Sequence, residues 1–431
     1  MFKPTILGAA LLAAFAVPVS AAAADDKELA AIRAQIQEMK QAYEARLLAL
    51  EQRLQEAQAV TAQAAPPPTP VATASNVFNP DVSMILGGTY ANLKRDPAEY
   101  RIQGFMPVGG EVGPGTRSFN LGESEVTLSA NIDPMFSGRL TFALTGEDSI
   151  GVEEAFVQTR ALSNGFNAKA GRFLASLGYL NGQHAHTWDF IDAPLAYQAF
   201  LGGQYKTDGL QVKWLAPTDT YIELGMEAGR GAAPPGNERN KNGVGATTVF
   251  AHAGDDIGAS SSWRAGLSYL RTAASERGFE DGELAGAFSG RSTMWVADAI
   301  YKWAPGGNAS QRNFKLQGEY MRRKETGLLD ADPYASTQSG WYAQGVYQFM
   351  PMWRAGLRYD RLVSGAAAST AFPLLESYTP TRSSVMLDYS PSEFSRMRLQ
   401  FARDQSRPGP ADNQIFLQYI MSLGTHAAHA F

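Results

Sequence analysis

The sequence predicts an all-β fold: a transmembrane antiparallel β-barrel of roughly 16 strands, carried behind an N-terminal α-helical coiled-coil stalk. Three observations lead there. Apolar and polar residues alternate in short segments from Val82 to the C-terminus, the connections between those segments alternate in length, and the chain opens with an export-type leader followed by a heptad seam.

The leader is read from Lys3, an apolar run from Ile6 to Val17 and an Ala-rich exit at Ala22 to Ala24. This is the pattern of a secretory signal peptide over residues 1–24. Its run is too short for a membrane span, and no later stretch reaches the roughly 18 apolar residues that a spanning helix needs. The chain has no Cys, so neither a disulfide framework nor a lipidated N-terminal Cys is available to hold it in place. Any membrane attachment must come from the fold.

From residue 25 to 60 the pattern is helical. Leu29, Ile32, Ile36, Met39 and Tyr43 follow alternating steps of three and four, and after one stutter Leu47, Leu50, Leu54 and Ala57 resume the seam. Such an a/d stripe predicts an oligomeric coiled coil in the periplasm, a single amphipathic helix on the barrel rim being the alternative. Residues 61–77 contain Pro66, Pro67, Pro68 and Pro70, a stiff extended spacer. Residues 78–431 are assigned to the barrel.

There the period is two. Ile415, Leu417, Tyr419, Met421 and Leu423 share one face of a strand near the C-terminus, and elsewhere Arg396 and Arg398 alternate with Met397 and Leu399, and Arg354 and Arg358 with Trp353 and Leu357. Long connections are expected at Lys94–Ser118, Tyr179–Gln204, Gly231–Gly243, Ala274–Arg291, Gly327–Ser339 and Ser364–Pro380, and short ones at Asp133–Pro134, Ser163–Gly165, Pro217–Asp219, Met350–Pro351 and Ser390–Glu393; the short outer connection Asp148–Gly151 departs from the trend. A soluble sandwich has no reason to sort lengths in this way, whereas outer-membrane barrels have short periplasmic turns and long outer loops. Trp263, Tyr269, Trp295, Tyr301, Trp303, Trp341, Trp353, Tyr359 and Tyr389 fall near strand ends, where amphipathic rings settle at headgroup level.

One connection stands apart. Residues 178–203 hold His184, His186, Asp189, Asp192 and several aromatics, with no Lys or Arg. That composition suits a loop folded into the barrel mouth as a pore constriction. Two carboxylates without a cation favour cations or neutral solutes. Parity places Arg139, Lys213, Lys315, Arg354, Arg358, Arg396 and Arg398 on lumen faces, with Glu125, Glu223, Glu227, Glu319, Asp360 and Asp388. His184 and His186 are candidate ligands for Zn(II), with Asp189 or Asp192 supplying an oxygen; His426 and His429 form a second pair in the tail. No other cofactor is indicated. No G-x-S-x-G, H-E-x-x-H or P-loop pattern is present, so no enzymatic role is expected, and the net charge of -5 argues against nucleic acid.

The leader, short coiled coil, Pro spacer and barrel with a folded third outer loop resemble trimeric porins of Gram-negative bacteria, including the phosphate-selective group. More closely, FNPDVSMILGGTYANL (78–93), LGESEVTLSANIDPMFSG (121–138), AGRFLASLGYLNGQHAHTWDFIDAPL (170–195), WLAPTD (214–219) and SWRAGLSYL (262–270) are similar to a family labelled zinc-regulated TonB-dependent outer-membrane receptors. The resemblance implies an outer-membrane barrel whose expression answers to zinc. The expected function is a passive channel for small hydrophilic solutes or ions, a homotrimer set in outer-membrane lipid, with a stalk that reaches peptidoglycan. The alternatives are a zinc-responsive metal-uptake barrel and a structural tether between membrane and cell wall.

Overall fold

The structure is a computed structural model that describes residues 80–109, 112–144, 149–160, 162–366 and 371–424. The expected signal peptide, coiled coil and spacer, and the tail pair His426 and His429, lie outside the described residues.

Among the described residues, seventeen strand segments make one antiparallel sheet that closes on itself. They are β1 (Asp81–Leu93), β2 (Ser118–Leu121), β3 (Ser124–Asn131), β4 (Phe136–Leu144), β5 (Ile150–Thr159), β6 (Phe166–Leu174), β7 (Lys206–Leu215), β8 (Tyr221–Gly229), β9 (Ala246–Ile257), β10 (Ser261–Asp281), β11 (Leu284–Trp303), β12 (Asn313–Leu329), β13 (Asp332–Met350), β14 (Trp353–Val363), β15 (Thr381–Ser392), β16 (Ser395–Gln405) and β17 (Asp412–Gly424). β2 and β3 both pair with β1 and together form one wall strand, so the barrel has sixteen. Closure comes from β1 against β17, in register from Ser83–Gly424 to Leu93–Gln414. No edge is left to template pairing with another chain.

Each strand sorts its side chains by parity, because successive residues point to opposite faces. On β17, Ile415, Leu417, Tyr419 and Leu423 are 43–49% exposed on the outside, while Gln414, Gln418 and Ser422 are buried on the inside. Val385 and Leu387 on β15 and Leu399 and Phe401 on β16 continue the outer apolar band. The outer rings pair across strands, Tyr269 with Trp295, Trp341 with Tyr359 and Trp353 with Tyr389. Trp303 lies at the short-turn end of β11, whereas Trp295 sits further along the same strand toward the long-loop end. Aromatic rings at two levels flanking an apolar belt are the signature of a transmembrane barrel.

The wall is uneven in height. β3 to β8 have 8 to 10 residues, close to the roughly 9–11 that a tilted strand needs to cross. β10 to β13 have 17 to 21. The connections expected at Ala274–Arg291 and Gly327–Ser339 are therefore corrected: most of each is strand, closed by the tight turns 282–283 and 330–331. The cause is packing. Phe288 and Tyr334 continue the inward parity past the membrane belt, Phe279 turns inward after a bulge at 275–276, and all three bury against Phe372 and Leu375; Gly282 and Asp330 supply the positive φ, 66° and 54°, that such turns use.

Leu417 lies midway along β17 and faces outward. Leu417→Lys is expected to cost ~2–4 kcal/mol, read by urea unfolding in lipid vesicles.

Candidate functional site: a loop pinned across the lumen

Residues 175–205 connect β6 to β7. Their two ends are clamped by one side chain: Asn181 Nδ2 donates to the carbonyls of Ala175 and Tyr205, each at 2.8 Å, and its Oδ1 accepts from the Tyr205 N–H at 2.7 Å. Gly178 has φ 76°, and any Cβ there would collide with the Glu319 carboxylate. This glycine lets the chain turn tightly past a wall carboxylate. The segment then forms a short helix, Leu195–Leu201, whose residues are all buried, ended by Gly202 in the left-handed conformation.

The helix sits where the inner wall is apolar. Leu195, Tyr197, Phe200 and Leu201 pack with Phe105 from the 94–117 connection and with Leu270, Met294, Val296, Met321, Tyr342 and Leu362 from β10 to β14. The buried carboxylate inside this seat is satisfied. Glu319 accepts from the hydroxyls of Tyr197 (2.9 Å) and Tyr342 (2.7 Å) and from the Leu180 N–H (2.9 Å).

Beside the helix, the loop is held by charge. Asp189 meets Lys315 at 2.5 Å and Arg354 at 3.3 Å, and accepts from Gln344 at 3.0 Å. Asp192 meets Arg358 at 2.9 Å and also Arg382, and accepts from Gln400 at 2.7 Å. Arg354 binds Asp388 with two nitrogens, and Arg398 and Arg396 donate to the Trp188 carbonyl at 2.7 and 3.4 Å. Arg358 is also paired with Asp360, whose other oxygen accepts from the Leu195 N–H. Burial works to raise the pKa of Asp192, but the guanidinium groups of Arg358 and Arg382 outweigh it and hold the carboxyl below its usual range. The expected cation preference loses its premise here, because both aspartates are neutralised by wall cations and present no free negative charge.

The histidines face a different part of the wall. His184 Nδ1 lies 3.0 Å from Glu153 and 3.2 Å from Glu125, and its Nε2 is 3.2 Å from Glu154. His186 Nδ1 is 3.2 Å from Glu125. Burial opposes a charge on His184, but the three carboxylates outweigh it and raise its pKa well above the usual imidazole range. The expectation that Asp189 or Asp192 would complete a ligand set with these rings is corrected: those oxygens are taken by Lys315, Arg354, Arg358 and Arg382, and the carboxylate placed with the histidines is Glu125.

The remaining parity candidates also point inward. Arg139 approaches Glu154 at 3.8 Å with its side chain 46% exposed; Lys213 and His252 share Glu223; Glu227 accepts from the Ser176 N–H. Sequence reasoning missed Arg382, Glu153 and Glu154. Arg382 shares parity with Asp388 and was findable; Glu153 was not, for it sits in a bulge. A cavity of about 1260 Å³ opens on the short-turn side of the loop, touching Glu125, His184, His186, Arg139 and Arg396. A second, of about 580 Å³, lies on the long-loop side beside Tyr100, Phe105, Leu374 and Arg407.

A closed sixteen-stranded wall, apolar outside and charged inside, with the 175–205 loop folded against the inner face, defines a transmembrane barrel of the porin type. Solved structures share the architecture at low identity: OmpT of Vibrio cholerae in its trimer form (11% identical, TM-score 0.53, covering 80% of this chain and 99% of that one), OprB of Pseudomonas putida (13%, 0.51, 80% and 94%) and the outer membrane channel DcaP of Acinetobacter baumannii (12%, 0.50, 80% and 97%). No family model matches the sequence. The chain belongs to the same family as a protein of Aquifex aeolicus (strain VF5), described as uncharacterized, to which it is 32% identical over 393 residues, 82% of this chain and 80% of the relative. The TonB-dependent receptor label is not supported: receptors of that class use plugged 22-stranded barrels, and this wall closes at sixteen.

Removing Asp192 leaves Arg358 and Arg382 buried without it. Asp192→Ala is expected to cost ~3–5 kcal/mol, read by denaturant unfolding, and to open residues 178–203 to protease. Since its folded pKa lies below its unfolded one, the Asp192 contribution is complete above about pH 4 and is lost as pH falls through the folded value; unfolding midpoints measured on an acid series check this.

Proposed function

We propose that this chain is a passive outer-membrane channel for small hydrophilic solutes or ions, in which residues 178–203 narrow the lumen. The observation that carries the reading is the pinned loop itself. It crosses the inside of a lipid-facing barrel and borders a charged cavity of about 1260 Å³. Mixed charge keeps such a space wet, and the same side chains on the lipid face would be expelled. His184, His186, Asp189 and Asp192 form the constriction on this reading, with Arg139, Lys315, Glu319, Arg354, Arg358, Arg396 and Arg398 lining or bracing it. Residues 1–24 act as a signal peptide, 25–60 as a periplasmic coiled coil that favours a trimer and reaches peptidoglycan, 61–77 as a spacer and 78–431 as the barrel. The trimer form of OmpT among the structural neighbours supports the oligomer.

A second reading, a plugged barrel acting as a membrane anchor for the stalk, is favoured by the apolar seat, since Phe105, Leu195, Phe200 and Leu201 fill part of the lumen with buried apolar side chains.

Planar-bilayer recording of the purified protein separates the two. Discrete conductance steps are expected; their absence at saturating insertion would remove the channel reading and leave the anchor. In the same recordings, Asp189→Asn with Asp192→Asn is expected to shift the reversal potential toward anions, because Lys315, Arg354, Arg358 and Arg382 then each lose one carboxylate partner.

A further inference from the structure

Two wall strands carry an extra residue at the same place. Between the pairs Gly88–Leu121 and Ile85–Glu125, residues 122–124 face only 86 and 87. Between Thr141–Glu154 and Phe142–Val152, Glu153 has no partner. Each is a β-bulge, and each reverses the parity of its strand. Phe119 and Leu121 point outward, 84% and 49% exposed, yet Glu125 points inward at 2%. Glu153 and Glu154 are neighbours in sequence and are both buried on the lumen side, at 7% and 5%. Bulges re-aim side chains at functional sites. Here they gather Glu123, Glu125 and Glu153, whose carboxylate oxygens lie within 4.8 Å of one another. Carboxylates held that close are relieved by a proton or by a cation.

The loop delivers His184 and His186 to this point, with ring centroids 5.7 Å apart. Their side chains are 17% and 9% exposed, beside Glu125 at 2%. Ligand atoms of Glu125, His184 and His186 also lie within 4.8 Å of one another.

We infer that Glu125, His184 and His186 form a binding site for a borderline divalent transition-metal ion of the Zn(II) type, with Glu153 at the fourth position and Glu154 orienting the His184 ring. The dimensions suit this. Zn–N and Zn–O bonds of about 2.0–2.1 Å at tetrahedral angles place neighbouring ligand atoms about 3.3 Å apart. His184 Nδ1 lies 3.2 Å from one Glu125 oxygen and His186 Nδ1 lies 3.2 Å from the other, so this carboxylate faces both rings, and His184 Nδ1 is 3.0 Å from Glu153. The far nitrogen of His184 meets Glu154 at 3.2 Å, the carboxylate–imidazole pairing that fixes a metal-binding ring. Two imidazoles select against Mg(II) and Ca(II), which take oxygen. The site borders the larger cavity, so an ion has a route to it. This inference stands apart from the channel reading, since an anchor with the same loop would bind the ion equally.

The test uses the full chain in detergent, stripped with chelator and titrated with Zn(II) against a chromophoric competitor, in a His426→Ala, His429→Ala background that removes the tail imidazoles. One Zn(II) per chain is expected, with Mg(II) failing to compete. His186→Ala and Glu125→Gln are expected to weaken binding by more than ~100-fold, and Glu154→Gln by ~10–100-fold. Unchanged affinity in all three variants, or no binding by the parent, overturns the site. Should a variant fail to fold, Zn K-edge absorption on the parent decides: a four-coordinate shell with two imidazoles is expected, and a shell of oxygens alone overturns the proposal.

Discussion

The structure inside this barrel depends on the ion pairs between two loop aspartates and the cations of the facing wall. A charge removed from water needs a partner at hydrogen-bond distance, and Arg358 and Arg382, each with side chains 1% exposed, have theirs in Asp192, Asp360 and Asp404. Asp189 does the same for Lys315 and Arg354. Neither set is complete without the loop. The polar lattice fixes where the loop lies along β12 to β16, and the apolar seat under its helix fixes how deep it goes.

The two halves of the barrel therefore differ. The tall strands β10 to β13 meet apolar or aromatic surface on both faces over part of their length, membrane belt outside and loop helix inside. The low strands β3 to β8 keep a wetter inner face, carrying Arg139, Lys169, Lys213 and the glutamate–histidine cluster. Structures at 11–13% identity share the overall architecture with this chain. Closure, alternation and strand length impose few constraints on which residue stands at each place, so the fold tolerates that divergence.

Most of the wall was legible in the sequence because a strand with lipid on one side and water on the other has to alternate, and sixteen such segments can be marked by parity alone. Where parity breaks, legibility ends. Glu153 faces the lumen only because an unpaired residue shifts the count, and the same kind of shift at 122–124 carries Glu125 inward. The upper hairpins read as loops in sequence because their strands run on past the belt with small and charged residues. The loop's composition marked it as special, but its partners lie far along the chain, Gln400 being 208 residues from Asp192. No local pattern pairs an aspartate with an arginine across that distance, so the same two carboxylates read as free charge in sequence and as neutralised charge in space.

That distance bears on the order of assembly. The loop leaves the wall after β6, whereas the groups that hold its aspartates come from β12 to β16 and its helix packs on β10 to β14. During biogenesis its helix and aspartates have no resting place until the later strands have inserted and curled round to meet β1. Seating the loop is thus a late event that reports closure of the cylinder, and a chain stalled before its last strands would leave this segment hanging, open to the cell's quality-control proteases.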